Sequence, residues 1–249
     1  RRLHVGRVLG IDVRVDWPWA VTFVLVVWVA VTSLRRLMPE LAPGLLVLAS
    51  AAVAAGLFAS LGAHEIVRVV AARRSGVPIH TLTLFVVGGV SDVERAPASP
   101  RTEARSALAA PAVTIAASLV VAGGVVLASA PAPRSLQDLD RLGLPGVVLL
   151  EIALANVVVA LVNLLPAFPL DGGRLLRAAL WRATGDVDRA TRTAALAGQV
   201  IGWSLILAGV ALAVLGRAGP GVAAAILGWF LTSAAAQSYA SVSAQPPSP

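Results

Sequence analysis

The chain has 249 residues, 57% of them hydrophobic and 13% charged, with no cysteine and a formal net charge of +7. Soluble domains carry about a quarter charged residues, so this balance excludes an ordinary water-soluble globule, and a chain this apolar does not stay disordered. The lack of cysteine removes disulfides, thiolate metal sites and a cysteine nucleophile, and all twenty positive charges are arginine.

In chain order, six apolar stretches are each long enough to cross a hydrocarbon core of ~30 Å, which takes about 20 helical residues. They run over Trp17–Leu34, Gly44–Ala72, Ala104–Ala130, Gly146–Phe168, Ala190–Leu215 and Gly219–Ala236. The first is followed by Arg35 and Arg36 and lacks a small-residue cleavage site, so it reads as a span rather than a signal peptide. Between the second and third lies the loop 73–105. Its alternating, β-branched run Thr81–Val87 predicts a short strand or hairpin ended by Gly88–Gly89. Residues 241–249 are polar and proline-rich and predict a disordered tail. The expected fold is an all-α polytopic membrane protein, one transmembrane domain over 1–240 with a short cytoplasmic β-hairpin between spans two and three. A chain that begins at Arg1 rather than Met is expected to be a fragment or to lack its start.

The arginines orient these spans. With the N-terminus in the cytoplasm, inside segments hold fourteen arginines and outside loops five (Arg35, Arg36, Arg134, Arg141 and Arg217), leaving Arg68 within a span. Cytoplasmic loops carry the positive excess, which favours six spans with both termini cytoplasmic. Arginines scattered singly and in pairs, with no basic stripe and no aromatic stacking platform, exclude nucleic acid as a partner and leave the lipid bilayer.

Polar groups within apolar spans are the candidates for chemistry, because each costs several kcal/mol if unpaired in lipid. The densest group is His64-Glu65-Ile66-Val67-Arg68 near the end of span two. Counting back from Arg73 at about 1.5 Å per residue puts His64 roughly 13 Å below the cytoplasmic boundary. Two histidines four apart on a helix can grip zinc, and a glutamate beside the first can take a proton from metal-bound water. Here Arg68 stands where the second histidine would be. A guanidinium has no lone pair to offer and stays protonated, so it cannot replace imidazole. It either snorkels to the interface or stays to pair with Glu65 and Asp171.

Span four ends in Asn163-Leu-Leu-Pro166-Ala-Phe-Pro169-Leu-Asp171-Gly172-Gly173-Arg174. Two prolines and two glycines break a helix there, and broken backbone at membrane depth persists only where it lines protein or a wet cavity. Asp171 is then either an oxygen ligand delivered by the break or a helix-terminating carboxylate paired with Arg174 or Arg177. Of the other polar groups, Asn156 reads as an interhelical hydrogen bond, and Glu151, near the outer interface, as solvated.

These motifs resemble those of the site-2 protease family of intramembrane zinc metalloproteases, whose members carry a His-Glu-x-x-His helix and a later Asn-x-x-Pro-x-x-Pro-x-Asp-Gly segment. The resemblance covers Gly56–Gly76, Thr81–Val93 and Asn163–Arg174. It implies His64 and Asp171 as zinc ligands and Glu65 as general base. Asn163, Pro166 and Gly172, with the Gly88–Gly89 region, then shape the site beside a substrate held as an extended strand. It also implies a transmembrane protein substrate cut within or near the bilayer of a bacterial cell. The chain departs from the pattern at Arg68, and at Ala109-Ala110-Pro111, where the family has Ala-Gly-Pro. With two motif ligands instead of the usual three, the alternative is a silent relative that binds membrane-protein segments. His80, in the cytoplasmic loop, reads first as a solvated loop histidine and otherwise as the substitute for the missing ligand. Aspartyl and serine intramembrane chemistry fit poorly, since Gly185-Asp186 falls in a polar loop and His64 has no serine partner.

Reporter fusions after Arg36, Arg141 and Arg217 are expected to read the outside of the membrane, and one after Arg182 the inside. A cytoplasmic signal at Arg141 overturns the span assignment.

Overall fold

The computed structural model describes residues 2–8, 10–16, 18–74, 79–85, 88–93, 99–129 and 136–243. The described elements are β1 (Arg2–Val8), β2 (Ile11–Asp16), α1 (Pro18–Leu37), α2 (Pro43–Arg74), β3 (Ile79–Phe85), β4 (Gly88–Val93) and α3 (Pro100–Ala128). A 3-10 turn (Leu136–Leu142) follows, then α4 (Gly143–Asn163), α5 (Asp171–Thr184), α6 (Val187–Val214) and α7 (Ala218–Ser243). Six of these helices, all but α5, are long and apolar enough to cross a membrane. Their outward faces agree with that medium, with Val24, Leu48, Val120, Leu207 and Trp229 among the large apolar side chains left exposed. The protein is thus an all-α polytopic membrane protein with a small sheet.

The chain divides into two compact units. The first comprises Arg1–Ala96 with Ala109–Ala160, the second Pro97–Leu108 with Leu161–Pro249. In the first, the expected hairpin is part of something larger, a four-stranded sheet in the order β1-β2-β3-β4. Strands β1 and β2 form an antiparallel hairpin, β2 lies parallel to β3, and β3 is antiparallel to β4. The N-terminal hairpin carries a readable signal, the strict alternation Ile11-Asp12-Val13-Arg14-Val15-Asp16. Ile11 and Val13 are buried against Val69 and Ala72 of α2, with Val15 and Ile66 packed alongside. The sheet therefore braces the last turns of α2, which carry His64 to Arg68. Gly88 and Gly89 do not end the strand run as expected. They open β4, paired with Phe85 and Leu84, because a backbone ladder needs no Cβ.

Further along α2, Leu46, Ala49 and Val53 form a core with Ala30 and Leu34 of α1 and Val147 of α4. Gly56 lets α2 approach α4, since a Cβ there would lie 2.5 Å from Ile152 Cδ1. Pro111 lies inside α3 and is fully buried.

In the second unit, α6 and α7 form a hairpin with a glycine seam. A Cβ on Gly202 would come within 2.3 Å of Thr232 Oγ1 and 2.8 Å of the Gly228 carbonyl oxygen. One on Gly209 would lie 2.5 Å from the Gly221 oxygen, and the reciprocal contacts are equally tight. Gly202 and Gly209, like Gly221 and Gly228, are seven residues apart, so both helices present the same face repeatedly. Lipid is as apolar as leucine and does not drive helices together, so close backbone approach supplies the van der Waals contact that does. Span four stops at Asn163 rather than Phe168, because Pro166 and Pro169 cannot continue it. The chain beyond forms α5, which is closed by Gly185 in a left-handed conformation (φ 74°).

Gly209→Val is expected to lower the stability of the chain by about 1–3 kcal/mol through overpacking of the α6–α7 seam. Thermal unfolding in detergent micelles reads this, with Val210→Ala on the exposed face of α6 as the neutral control.

Candidate functional site

His64 and Glu65 are both buried near the end of α2. His64 Nδ1 lies 2.9 Å from Thr114 Oγ1 of α3, a contact that fixes the ring's orientation. Thr114 was not singled out by the sequence reading. Its only signal is a pair of hydroxyls, Thr114 and Ser118, four apart in an apolar helix and both buried. Arg68 does not leave for the interface. Its Nε donates to Glu65 Oε2 at 2.8 Å, and its Nη2 donates to the same oxygen. The pair is well shielded, with side-chain exposures of 13% for Arg68 and 9% for Glu65. Removing one partner of such a pair is far costlier than removing both, because an uncompensated charge remains buried. His80 and the glycines 88 and 89 sit in β3 and β4, and the side chain of His80 lies outside the described residues.

Asn163, Pro166, Asp171 and Gly172 belong to the second unit. Asn163 is buried at the last position of α4, and the chain then turns through 164–170 before Asp171 opens α5. The motif's two glycines have a steric cause. A Cβ on Gly172 would lie 2.1 Å from the Leu164 carbonyl oxygen, and one on Gly173 would lie 2.2 Å from the Phe168 nitrogen. Gly198 of α6 is equally constrained by the Phe168 carbonyl oxygen at 2.5 Å. Ala167 and Leu170 are buried with Leu231 of α7. Asp171 is buried in the first turn of α5, where the helix's partial positive charge favours a carboxylate.

The second unit also holds a charge cluster that the sequence reading missed. Glu103, in the first turn of α3, is completely buried. Its Oε1 accepts from Arg177 Nε at 2.7 Å and from Arg177 Nη2, and Arg174 Nε stands 4.0 Å away. The Arg177 guanidinium also lies over the Phe168 ring, 5.0 Å from its centroid. Arg177 was weighed as a partner for Asp171, but its carboxylate is Glu103. An acidic residue in a helix's first turn reads as dipole compensation, so nothing in the local sequence marks Glu103 as a long-range partner.

Zinc catalytic sites take three protein ligands and a water. Among the described residues, no three His, Cys, Asp or Glu side chains come together in a group that could hold a metal ion. The i+4 position from His64 presents a guanidinium already engaged with Glu65. Within each unit, the described residues offer no set of three ligands for a metal.

Residues 137–208 match the model of peptidase family M50. The chain is 35% identical over 248 residues to a Mycobacterium tuberculosis protein named as a zinc metalloprotease, Rip3, covering 98% of this chain and 60% of that one. It is 32% identical over 237 residues to a Synechocystis protein, sll0528, also named as a zinc metalloprotease, covering 95% of this chain and 59% of that one. The chain thus spans about three fifths of the length of these relatives. Its fold matches the solved site-2 protease from Methanocaldococcus jannaschii with a TM-score of 0.61 at 23% identity, over 96% of this chain and 95% of that one.

Arg177→Met is expected to destabilise the chain by about 3–5 kcal/mol by leaving the Glu103 carboxylate buried without its main partner. Adding Glu103→Leu to Arg177→Met is expected to recover part of that loss. Thermal unfolding of the single and double variants in detergent measures both.

Proposed function

We propose that this chain, which belongs to the site-2 protease family M50, is a catalytically silent member that binds segments of transmembrane proteins without cutting them. The observation that carries the reading is the Arg68–Glu65 pair. By family resemblance, Glu65 stands where the general base acts, His64 and Asp171 where ligands stand, and Arg68 where the third ligand belongs. A permanent cation at that position offers no lone pair, and it repels a divalent ion placed beside it. It also holds the Glu65 oxygen that would have to be open to a water molecule. Asn163, Pro166 and Gly172 keep the loop that presents Asp171, and the Gly88–Gly89 strand offers backbone pairing to an extended segment.

The competing reading is a working protease that cuts transmembrane substrates. It rests on the relatives being named zinc metalloproteases and on the intact 163–174 motif. It needs a third ligand from outside the His64 helix, with His80 the first candidate. In both readings the protein is integral to a bacterial cell membrane with both termini in the cytoplasm, as the arginine distribution favours.

Zinc per chain in the purified protein separates the two. The chain as written is expected to hold well below one zinc. Arg68→His is expected to raise zinc affinity at least about 100-fold, since even outer-shell changes shift it about 10- to 100-fold. Arg68→His with Glu65→Gln is expected to keep the metal. Stoichiometric zinc in the unmodified chain, with cleavage of a membrane substrate, overturns the reading.

A further inference from the structure

The hydrogen bond between Thr114 and His64 has a direction. Other hydroxyls in the long helices give their proton to an oxygen. Ser50 donates to the Leu46 carbonyl, Ser118 to the Thr114 carbonyl and Thr191 to the Val187 carbonyl, each four residues back, and Ser33 donates to Glu151 Oε1. Among the described residues the Thr114 hydroxyl makes one hydrogen bond. It goes not to the Ala110 carbonyl four residues back but to His64 Nδ1, at 2.9 Å, and both side chains are buried. A hydroxyl has one proton to place and lone pairs to spare. Were Nδ1–H the donor and Oγ1 the acceptor, the hydroxyl proton would be stranded in a buried site. With Oγ1–H as the donor and the Nδ1 lone pair as the acceptor, nothing is stranded.

We propose that Thr114 is a positioning residue that donates its hydroxyl proton to His64 Nδ1 and so holds the ring as its neutral Nε2–H tautomer. A neutral imidazole has one donor and one acceptor, and the bond made by one nitrogen sets the state of the other. With the Nδ1 lone pair taken, the ring's own proton sits on Nε2, which faces its surroundings as a donor. A metal-binding histidine is arranged the other way round. It gives its second N–H to a carboxylate, a carbonyl or a water, and this leaves a lone pair for the ion. The mismatch with a metal therefore reaches beyond Arg68 to His64, neither of whose nitrogens then holds an open lone pair. An Nε2–H suits an oxygen acceptor instead, a backbone carbonyl or a carboxylate of a bound segment. What the site does with that donor rests on the silent-member reading, while the place of the proton does not. The ring's charge is the same in either tautomer.

Nitrogen NMR of the metal-free full chain, carrying isotope-labelled histidine in detergent micelles, reads the proton directly. The chain has three histidines, and the signals lost in His64→Gln identify this one. At about pH 8, above the ordinary histidine range, Nε2 is expected in the protonated shift range and Nδ1 in the unprotonated, hydrogen-bonded range. Thr114→Val, of nearly the same shape, is expected to move Nδ1 toward the value of a bare lone pair, and Thr114→Ser to restore it. Zinc affinity supplies a second sign. Adding Thr114→Val to Arg68→His is expected to tighten zinc about fivefold or more over Arg68→His alone, because freeing a lone pair on the ring no longer strands a donor. A proton on Nδ1, or an Nδ1 shift unchanged in Thr114→Val, overturns the proposal. So does weaker zinc in the double variant, which makes Thr114 an ordinary support of a ligand. The spectra use neither zinc nor cleavage, so their failure leaves the silent-member reading where it stands.

Discussion

A carboxylate buried away from water needs a partner that apolar surroundings cannot supply, and each compact unit of this protein holds one paired with an arginine, Glu65 in the first and Glu103 in the second. In the first unit the solution is local. Glu65 finds Arg68 one turn along the same helix, so the pair forms as soon as α2 forms and depends on no tertiary contact. The last turns of α2 can then be braced from outside, with Ile11 and Val13 of the sheet against Val69 and Ala72, and His64 held by Thr114. A neutralised helix end can be packed in this way, whereas an isolated carboxylate at the same place would have to turn toward water.

In the second unit the solution is long-range. Glu103 and Arg177 are 74 residues apart in sequence, and their contact ties the start of α3 to α5. That tie matters because the chain between α4 and α5 is not helical, and its backbone groups cannot be left to lipid. The glycines at 172, 173 and 198 remove the side chains that would hold the backbone apart, and the segment folds onto itself and onto α6. Phe168 then serves twice, as backbone packed on Gly198 and as the ring beneath Arg177. The motif that reads as chemistry in the sequence is therefore also a packing device, and most of its residues are explained by sterics alone.

What could be read from the sequence follows from how far each signal reaches. Apolar runs of twenty residues identify themselves, so all six spans were legible, with end shifts of a few residues. The end of α4 was placed five residues late because the apolar pattern continues past the prolines, while backbone geometry does not. Strand β3 (Ile79–Phe85) was legible in the alternation of Thr81–Val87, whose last two residues lie outside those described. The equally alternating Ile11–Asp16 carries the same signal, its apolar residues on one face and the charged Asp12, Arg14 and Asp16 on the other. Asn156 was expected to bond between helices. Its amide instead donates to the Ile152 carbonyl of its own helix, the choice open to any polar side chain with a carbonyl four residues back. The partners of Glu103 and Glu151 were out of reach, since nothing local to either residue encodes where Arg177 or Ser33 will be.

The Arg68–Glu65 pair sits in a fold that is stabilised elsewhere. Small metalloproteins often fold on their metal, so losing a ligand there is losing the structure. In this chain the stabilising contacts are helix against helix. They include the glycine seam of α6 and α7, the Gly56–Ile152 approach, and the sheet packed on α2. None of these passes through a metal. The electrostatic service a divalent ion would give to Glu65, a neighbouring positive charge, is supplied by Arg68 from within the same helix. What an arginine cannot supply is an open coordination position, and that is the part a reaction would need. The Arg68–Glu65 pair balances charge within α2, while the fold around it is held by helix and sheet contacts that do not depend on the chemistry at that position.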